Sequence, residues 1–261
     1  MDFSIFISDD DYDINKVINE DELIEFIKNI INISSLEILL DKYKTKLNMW
    51  RDFFDMDNIK SCIHKISNKV DIIDVTPNIK KIFIPYTLIK PCNINVVIIG
   101  MDPYPQKGYA NGIPFSTDMK KCPKSLKEIK NELLRNYPDS NIEGNSLERW
   151  YQEGIFLINF AHTTKIGKSG SHLNYWEMYS YKLLEYILNI NNNLIICIWG
   201  LNIKKILFDF LDKIKKENLF YACHPSRPNS SIYNPFEDCE HFVKINKRLV
   251  QLSKNNINWN F

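Results

Sequence analysis

The sequence predicts a single α/β domain: a central, mostly parallel four-stranded sheet with helices on both faces. Two observations carry this. Four short apolar runs, Val96–Gly100, Gly154–Asn159, Leu194–Gly200 and Leu219–His224, have the make-up of buried strands. They alternate with segments of helical spacing, Lys124–Asn136, Trp176–Leu188, Ile203–Lys215 and His241–Gln251. Strands alternating with helices of about ten residues build a parallel sheet through crossover connections. A third observation sets the scale. The 261 residues, 44% hydrophobic and 25% charged, suit an ordinary globular chain long enough for a substantial core.

Taken in order, residues 1–35 read as an acidic N-terminal extension and residues 36–261 as the main domain. Asn19 and Asp21 offer caps for a short helix on which Leu23, Ile24, Phe26, Ile27, Ile30 and Ile31 form a stripe expected to pack on the body. Leu36 to Asn68 predicts two further helices. Thr76-Pro77 opens another helical segment, NIKKIFIPYTLI, which ends near the turn Lys90-Pro91-Cys92. The four β-branched residues Val96–Ile99 then close on Gly100. In Lys124–Asn136, Leu126, Ile129, Leu133 and Leu134 fall on one side of the helix. No internal repeat or low-complexity linker interrupts the body.

Charge divides the chain. Residues 1–25 hold nine acids against the single base Lys16, which leaves 32 bases and 23 acids on residues 26–261. A basic body suits a polyanionic partner such as nucleic acid, but on charge alone a Lys-, Asn- and Ile-heavy composition is the preferred explanation. No run approaches the roughly 18–20 apolar residues of a membrane span, and Met1–Ser8 lacks a basic presequence. An intracellular protein, nuclear or cytoplasmic, with no membrane partner is expected. The six cysteines and five histidines form no C-x-x-C or H-x-x-x-H pair, so no metal and no cofactor is expected.

The richest stretch is Val96–Ser116, VVIIG-MDPYPQKGYANG-IPFS. A strand stops abruptly and presents Asp102, Tyr104 and Phe115 in a loop punctuated by Pro and Gly, and open α/β sheets bind ligands outside such strand ends. An Asp after a strand also serves as a simple turn or helix cap, and this stretch alone leaves both readings open. The other strands sharpen the choice. They end in Asn159, in Trp199-Gly200 and in His224-Pro225-Ser226, so an acid, an amide and an imidazole converge on one crevice. His162 and His241 read as ordinary helix or core histidines.

With those residues placed, the chain from about Trp50 onward resembles a family 1 uracil-DNA glycosylase. GMDPYPQKGYANGIPFS is similar to the family's water-activating G-Q-D-P-Y-H segment with its following A-x-G-x-x-F-S. Pro123-Lys124-Ser125-Leu126 is similar to its phosphate-contacting Pro-x-Ser-Leu, and GIFLIN supplies Asn159. Ser171-His172 with Trp176, His224-Pro225-Ser226 and the terminal Ile257-Asn258-Trp259 complete the match. Three positions depart from the pattern. Met101 replaces the usual Gln, so any contact there comes from backbone. Pro105 replaces a His near the substrate phosphate. The family's H-P-S-P-L-S loop reads His224-Pro225-Ser226-Arg227-Pro228-Asn229, which puts Pro228 where a Leu wedges into the duplex and makes Arg227 the candidate substitute. Asp-Pro-Tyr-Pro and the missing Leu are similar to poxvirus members, which also serve in a polymerase processivity factor.

The resemblance implies a mechanism. Asp102 stabilises positive charge on the sugar and orients water, while a neutral His224 donates to the departing base. Substrate contacts fall to Met101, Tyr104, Phe115 and Asn159: Phe115 stacks on the extruded ring, the Asn159 amide pairs with its polar edge and Tyr104 excludes thymine's methyl. Pro123, Ser125, Ser171, Ser226, Arg227 and Pro228 contact DNA. The competing expectation is a DNA-binding polymerase-accessory subunit that keeps the fold, with or without activity.

Overall fold

The computed structural model describes residues 36–43 and 45–261; the predicted helix within residues 19–31 lies outside them. Among the described residues six strands form: β1 (Val75–Thr76), β2 (Val96–Gly100), β3 (Ile155–Asn159), β4 (Thr164–Lys165), β5 (Ile195–Trp199) and β6 (Leu219–Ala222). The central sheet has the order β3-β2-β5-β6 and every pairing in it is parallel, whereas β1 and β4 form a small antiparallel ribbon. β2, β3 and β5 are buried at every residue because helices cover both faces; β6, at the edge, is only partly buried over its first three.

The helices are α1 (Leu36–Tyr43), α2 (Arg51–Phe54), α3 (Asp57–Ser67), α4 (Pro85–Leu88), α5 (Lys124–Asn136), α6 (Arg149–Gln152), α7 (Leu173–Ile190), α8 (Leu201–Ile206), α9 (Phe208–Leu211) and α10 (His241–Gln251). Strand alternation sends Phe156 to one face of the sheet, where its ring meets Trp50 and Tyr86 at centroid distances of 5.1 and 5.6 Å. It sends Trp199 to the other face, against Phe242 of α10 at 6.1 Å. Trp50 is fully buried and its indole N–H donates to the Ile89 carbonyl at 2.8 Å. The packing therefore ties the segments before β2 to the sheet through aromatic contacts rather than through long helices.

The predicted Ile203–Lys215 helix is broken into α8 and α9. The Tyr181 hydroxyl donates to the Ile206 carbonyl, which is thereby diverted from helical pairing, and the chain resets at the buried Leu207. NIKKIFIPYTLI forms a single 3-10 turn (Ile79–Lys81) followed by α4, since Pro85 brings no N–H and is accommodated at a helix start. The segment from Leu36 yields α1 and a 3-10 turn (Asn48–Trp50) before α2 and α3. Among the described residues no helix is long and apolar enough to cross a membrane.

Candidate active site

Sheet register decides what can meet. Gly100 pairs with Asn159, and Trp199 pairs with Ala222, so the chain leaves all four strands along one edge. Asp102, Asn159, Gly200 and His224 therefore border a single cleft of about 1010 Å³. Further wall comes from the loop Pro103–Phe115, the start of α5, the start of α8 and the segment after His224.

Asp102 accepts hydrogen bonds at both carboxylate oxygens. The Ser169 hydroxyl donates to Oδ1 at 2.9 Å and the Gly170 backbone N–H to Oδ2 at 2.5 Å. Burial pushes the carboxyl above the usual range, while these donors and Thr164 oppose the shift by favouring the anion. Ser169 and Gly170 were not among the residues singled out from sequence. Their signal was the run Gly167-Lys168-Ser169-Gly170, a glycine-punctuated turn directly ahead of Ser171-His172.

His224 is held in one tautomer. The Ser226 backbone N–H donates to Nδ1 at 3.1 Å, and the Ser226 hydroxyl lies 2.8 Å from the same nitrogen. A backbone N–H can only donate, so Nδ1 carries a lone pair and the neutral ring has its proton on Nε2. Burial, reinforced by the Arg227 charge, brings the imidazole down to about 4, so the ring is neutral at physiological pH.

Phe115 and Asn159 fit together over Gly100. A Cβ at Gly100 would lie 2.4 Å from Asn159 Oδ1 and 3.1 Å from the Phe115 ring, so only glycine permits this contact. Phe115 has φ of 62°, a left-handed conformation that is costly for a bulky side chain. It is held there by packing on Trp199 (5.3 Å) and by the Tyr104 hydroxyl, which donates to the Phe115 carbonyl at 2.8 Å. Since that proton is spent, the Ser125 hydroxyl must donate to Tyr104 Oη, 2.8 Å away. The Asn159 side chain makes no hydrogen bond to any described residue, leaving its donor and acceptor for a ligand.

The cleft thus brings together Met101, Asp102, Tyr104, Phe115, Asn159 and His224, bordered by Pro123, Ser125, Ser226 and Arg227. Two predicted DNA contacts stand apart. Ser171 Oγ accepts the Lys165 N–H at 2.8 Å and pairs with Thr164, and Pro228 lends its carbonyl to the Phe236 N–H at 2.6 Å; neither lines the cleft. The Ser125 side chain is only 2% exposed and committed to Tyr104, so its hydroxyl is a brace for that ring rather than a free anion ligand. At the same place the first turn of α5 has no side-chain cap, and Lys121 and Lys124 line the cleft beside it, a setting that favours anions. Among the described residues no group of three or more His, Cys, Asp or Glu side chains is placed to hold a metal ion.

The chain is similar to proteins already known. Residues 87–250 match the Uracil DNA glycosylase superfamily. The uracil-DNA glycosylase of Mycoplasmopsis pulmonis is 32% identical over 225 residues, covering 82% of this chain and 98% of the relative. That of human herpesvirus 6A is 33% identical over 236 residues, covering 89% and 84%. The crystal structure of mimivirus uracil-DNA glycosylase superposes with a TM-score of 0.71 at 25% identity, covering 90% of this chain and 93% of that one.

Proposed function

This chain belongs to the uracil DNA glycosylase superfamily, and we propose that it hydrolyses the bond between uracil and deoxyribose in DNA with Asp102 and His224 as its catalytic pair. Residues 36–261 form the catalytic domain in this reading. Cleavage builds positive charge on the sugar and negative charge on the departing base. The Asp102 carboxylate, already an acceptor at both oxygens, stabilises the first and orients the water that adds at C1′. The Nε2–H of His224 donates to the uracil oxygen on which the second accumulates.

Recognition follows from what the cleft leaves unpaired. The free amide of Asn159 donates to a uracil carbonyl and accepts from its N3–H. Cytosine presents the reverse pattern and would bury unpaired groups at about 1–3 kcal/mol each. Phe115 stacks on the extruded ring, Tyr104 stands against C5, and Met101 contributes backbone. Phosphates meet the first turn of α5 beyond Pro123, the Ser226 segment and Arg227. The single observation that carries the reading is the convergence of Asp102, Asn159 and His224 on one sheet edge; a scaffold for DNA binding alone has no physical need of all three.

A partner role beside a polymerase belongs to the same proposal, with the acidic segment 1–25 as the place to look for that partner's binding. An intracellular setting follows from the substrate. The deciding experiment is uracil release from labelled single- and double-stranded oligonucleotides, with Asp102→Asn as control. Release by the wild type and none by the variant, at similar DNA affinity, supports the assignment. Equal turnover removes Asp102 from the chemistry, and binding without release by the wild type leaves the accessory role.

A further inference from the structure

Resting on the glycosylase reading, we propose that Ile232 and Tyr233 form the apolar wedge that enters the DNA base stack when the target nucleotide is extruded. They are 93% and 92% exposed, whereas the next most exposed large apolar side chain among the described residues, Phe208, is 65% exposed. Scattered apolar side chains on a surface are ordinary; two adjacent ones standing almost wholly in water are not.

Their setting says what covers them. The loop that begins at His224 is stitched closed on both sides of this pair. The Arg227 N–H donates to the His224 carbonyl at 2.8 Å, Ser230 N–H to Arg227 at 3.1 Å, and Phe236 N–H to Pro228 at 2.6 Å. The Cys223 N–H donates to the Asn234 carbonyl at 2.8 Å, and the Asn229 side chain to Glu237 at 2.7 Å. Between Ser230, which lines the cleft, and Asn234, which is bonded to the cleft residue Cys223, only Ser231, Ile232 and Tyr233 make no hydrogen bond to a described residue. A braced loop thus presents an unbraced apolar tip at the rim of the cleft that receives the base.

An enzyme that acts on a base outside the stack leaves a gap there, and Ile, Leu, Phe and Met are the side chains that fill such gaps. A tyrosine ring adds a face for the neighbouring bases. Pro228 is the poorer candidate, because it is half-buried and its backbone is tied to Phe236, whereas Ile232 and Tyr233 stand clear of the loop. Arg227 lines the cleft, but its guanidinium is charged and suits phosphate rather than the interior of the stack.

The test compares Ile232→Ala, Tyr233→Ala and the double variant with wild type on the same uracil-bearing sequence, single-stranded and duplex. The ratio of duplex to single-strand release is expected to fall by about tenfold or more in the double variant, as single strands need no wedge. The thermal midpoint reports folding, which such exposed side chains should not alter. Independently of chemistry, 2-aminopurine placed beside the uracil of a duplex should brighten on binding Asp102→Asn and stay dim when the two alanines are added. An unchanged ratio, or brightening that survives the alanines, overturns the wedge and marks the tip as a protein-docking patch. Absence of release from both DNA forms by the wild type counts against the glycosylase reading, and the fluorescence arm still decides the wedge.

Discussion

Glu132 offers a sharp test of how the His224 loop is held. Its side chain lies on α5, is 0% exposed, and accepts five hydrogen bonds, a weak one from the Cys239 thiol to Oε1 at 3.8 Å among them. Oε1 takes the Glu240 N–H at 2.9 Å and Asn136 at 3.1 Å; Oε2 takes the Asp238 N–H and Arg135 Nη1, each at 2.9 Å. Asp238 and Glu240 have φ of 58° and 55°, so the carboxylate holds two residues in a conformation they disfavour. Glu132→Ala strands both backbone N–H groups, at about 1–3 kcal/mol each. Arg135 keeps Glu237 and Asp238 at the surface, which limits the further loss. The total is about 3–5 kcal/mol, a large share of a typical domain's stability. Glu132→Gln should cost nearly as much despite its shape. Whichever way the amide is turned, its NH2 faces a backbone N–H together with a second donor. Urea unfolding of wild type and both variants is the assay. A glutamine variant as stable as wild type would refute the reasoning, because it would mean the carboxylate is not the shared acceptor that closes this segment.

The remaining predictions concern the cleft and its pH dependence. Gly100→Ala drives a methyl group into Asn159 and Phe115, so uracil release should fall by about a hundredfold, measured as kcat/KM, with the fold retained by circular dichroism. Tyr104→Ala should open the site to thymine, and a variant that releases no thymine from a T-containing duplex removes Tyr104 as the methyl gate. His162 and His241 are both buried and held down at about 3. The unfolded chain binds protons on them below about pH 6.5 while the folded chain does not. Their stabilisation is therefore complete above that pH and lost as pH falls toward 3; at pH 5 each costs about 2 kcal/mol. Asp102, with its carboxyl raised, acts in the opposite sense: its burial cost is present when ionised and is relieved as pH falls through its folded value. Unfolding midpoints that stay flat from pH 7 to 5 would rule out the neutral, buried state of these two rings.

Much of this architecture was legible because its signals are local. The run Val96–Gly100 and the helices Lys124–Asn136 and His241–Gln251 stand where their apolar spacing put them, since one buried face dictates each pattern. Parallel strands with common ends then brought Asp102, Asn159 and His224 to one edge. What escaped the reading depends on distant partners. The break at Leu207 follows from a tyrosine on α7; the commitment of Ser125 follows from Tyr104; and the donors to Asp102 come from Ser169 and Gly170, more than sixty residues away. Spacing along the chain carries no trace of such pairs. The setting of Pro228 also depends on a distant partner. Motif position places it at the DNA, and the fold adds that its carbonyl accepts from the Phe236 N–H.

Burial acts on both catalytic groups in the same direction, toward neutrality, yet their surroundings separate them. Around Asp102 two N–H and O–H donors converge on the carboxylate oxygens and oppose the desolvation penalty, so the anion has partners waiting for it. Around His224 nothing opposes the penalty, and the Arg227 charge adds to it. The Ser226 N–H also spends the only lone pair that a second proton could take. One sheet edge therefore holds a carboxyl with donors at both oxygens beside an imidazole locked as a neutral donor. Breaking an N-glycosidic bond separates charge, and these two groups match its two ends. In the proposed reaction the carboxylate would serve the sugar without a neighbouring imidazolium to neutralise it, and the neutral N–H would serve the base without costing the burial of a second ion.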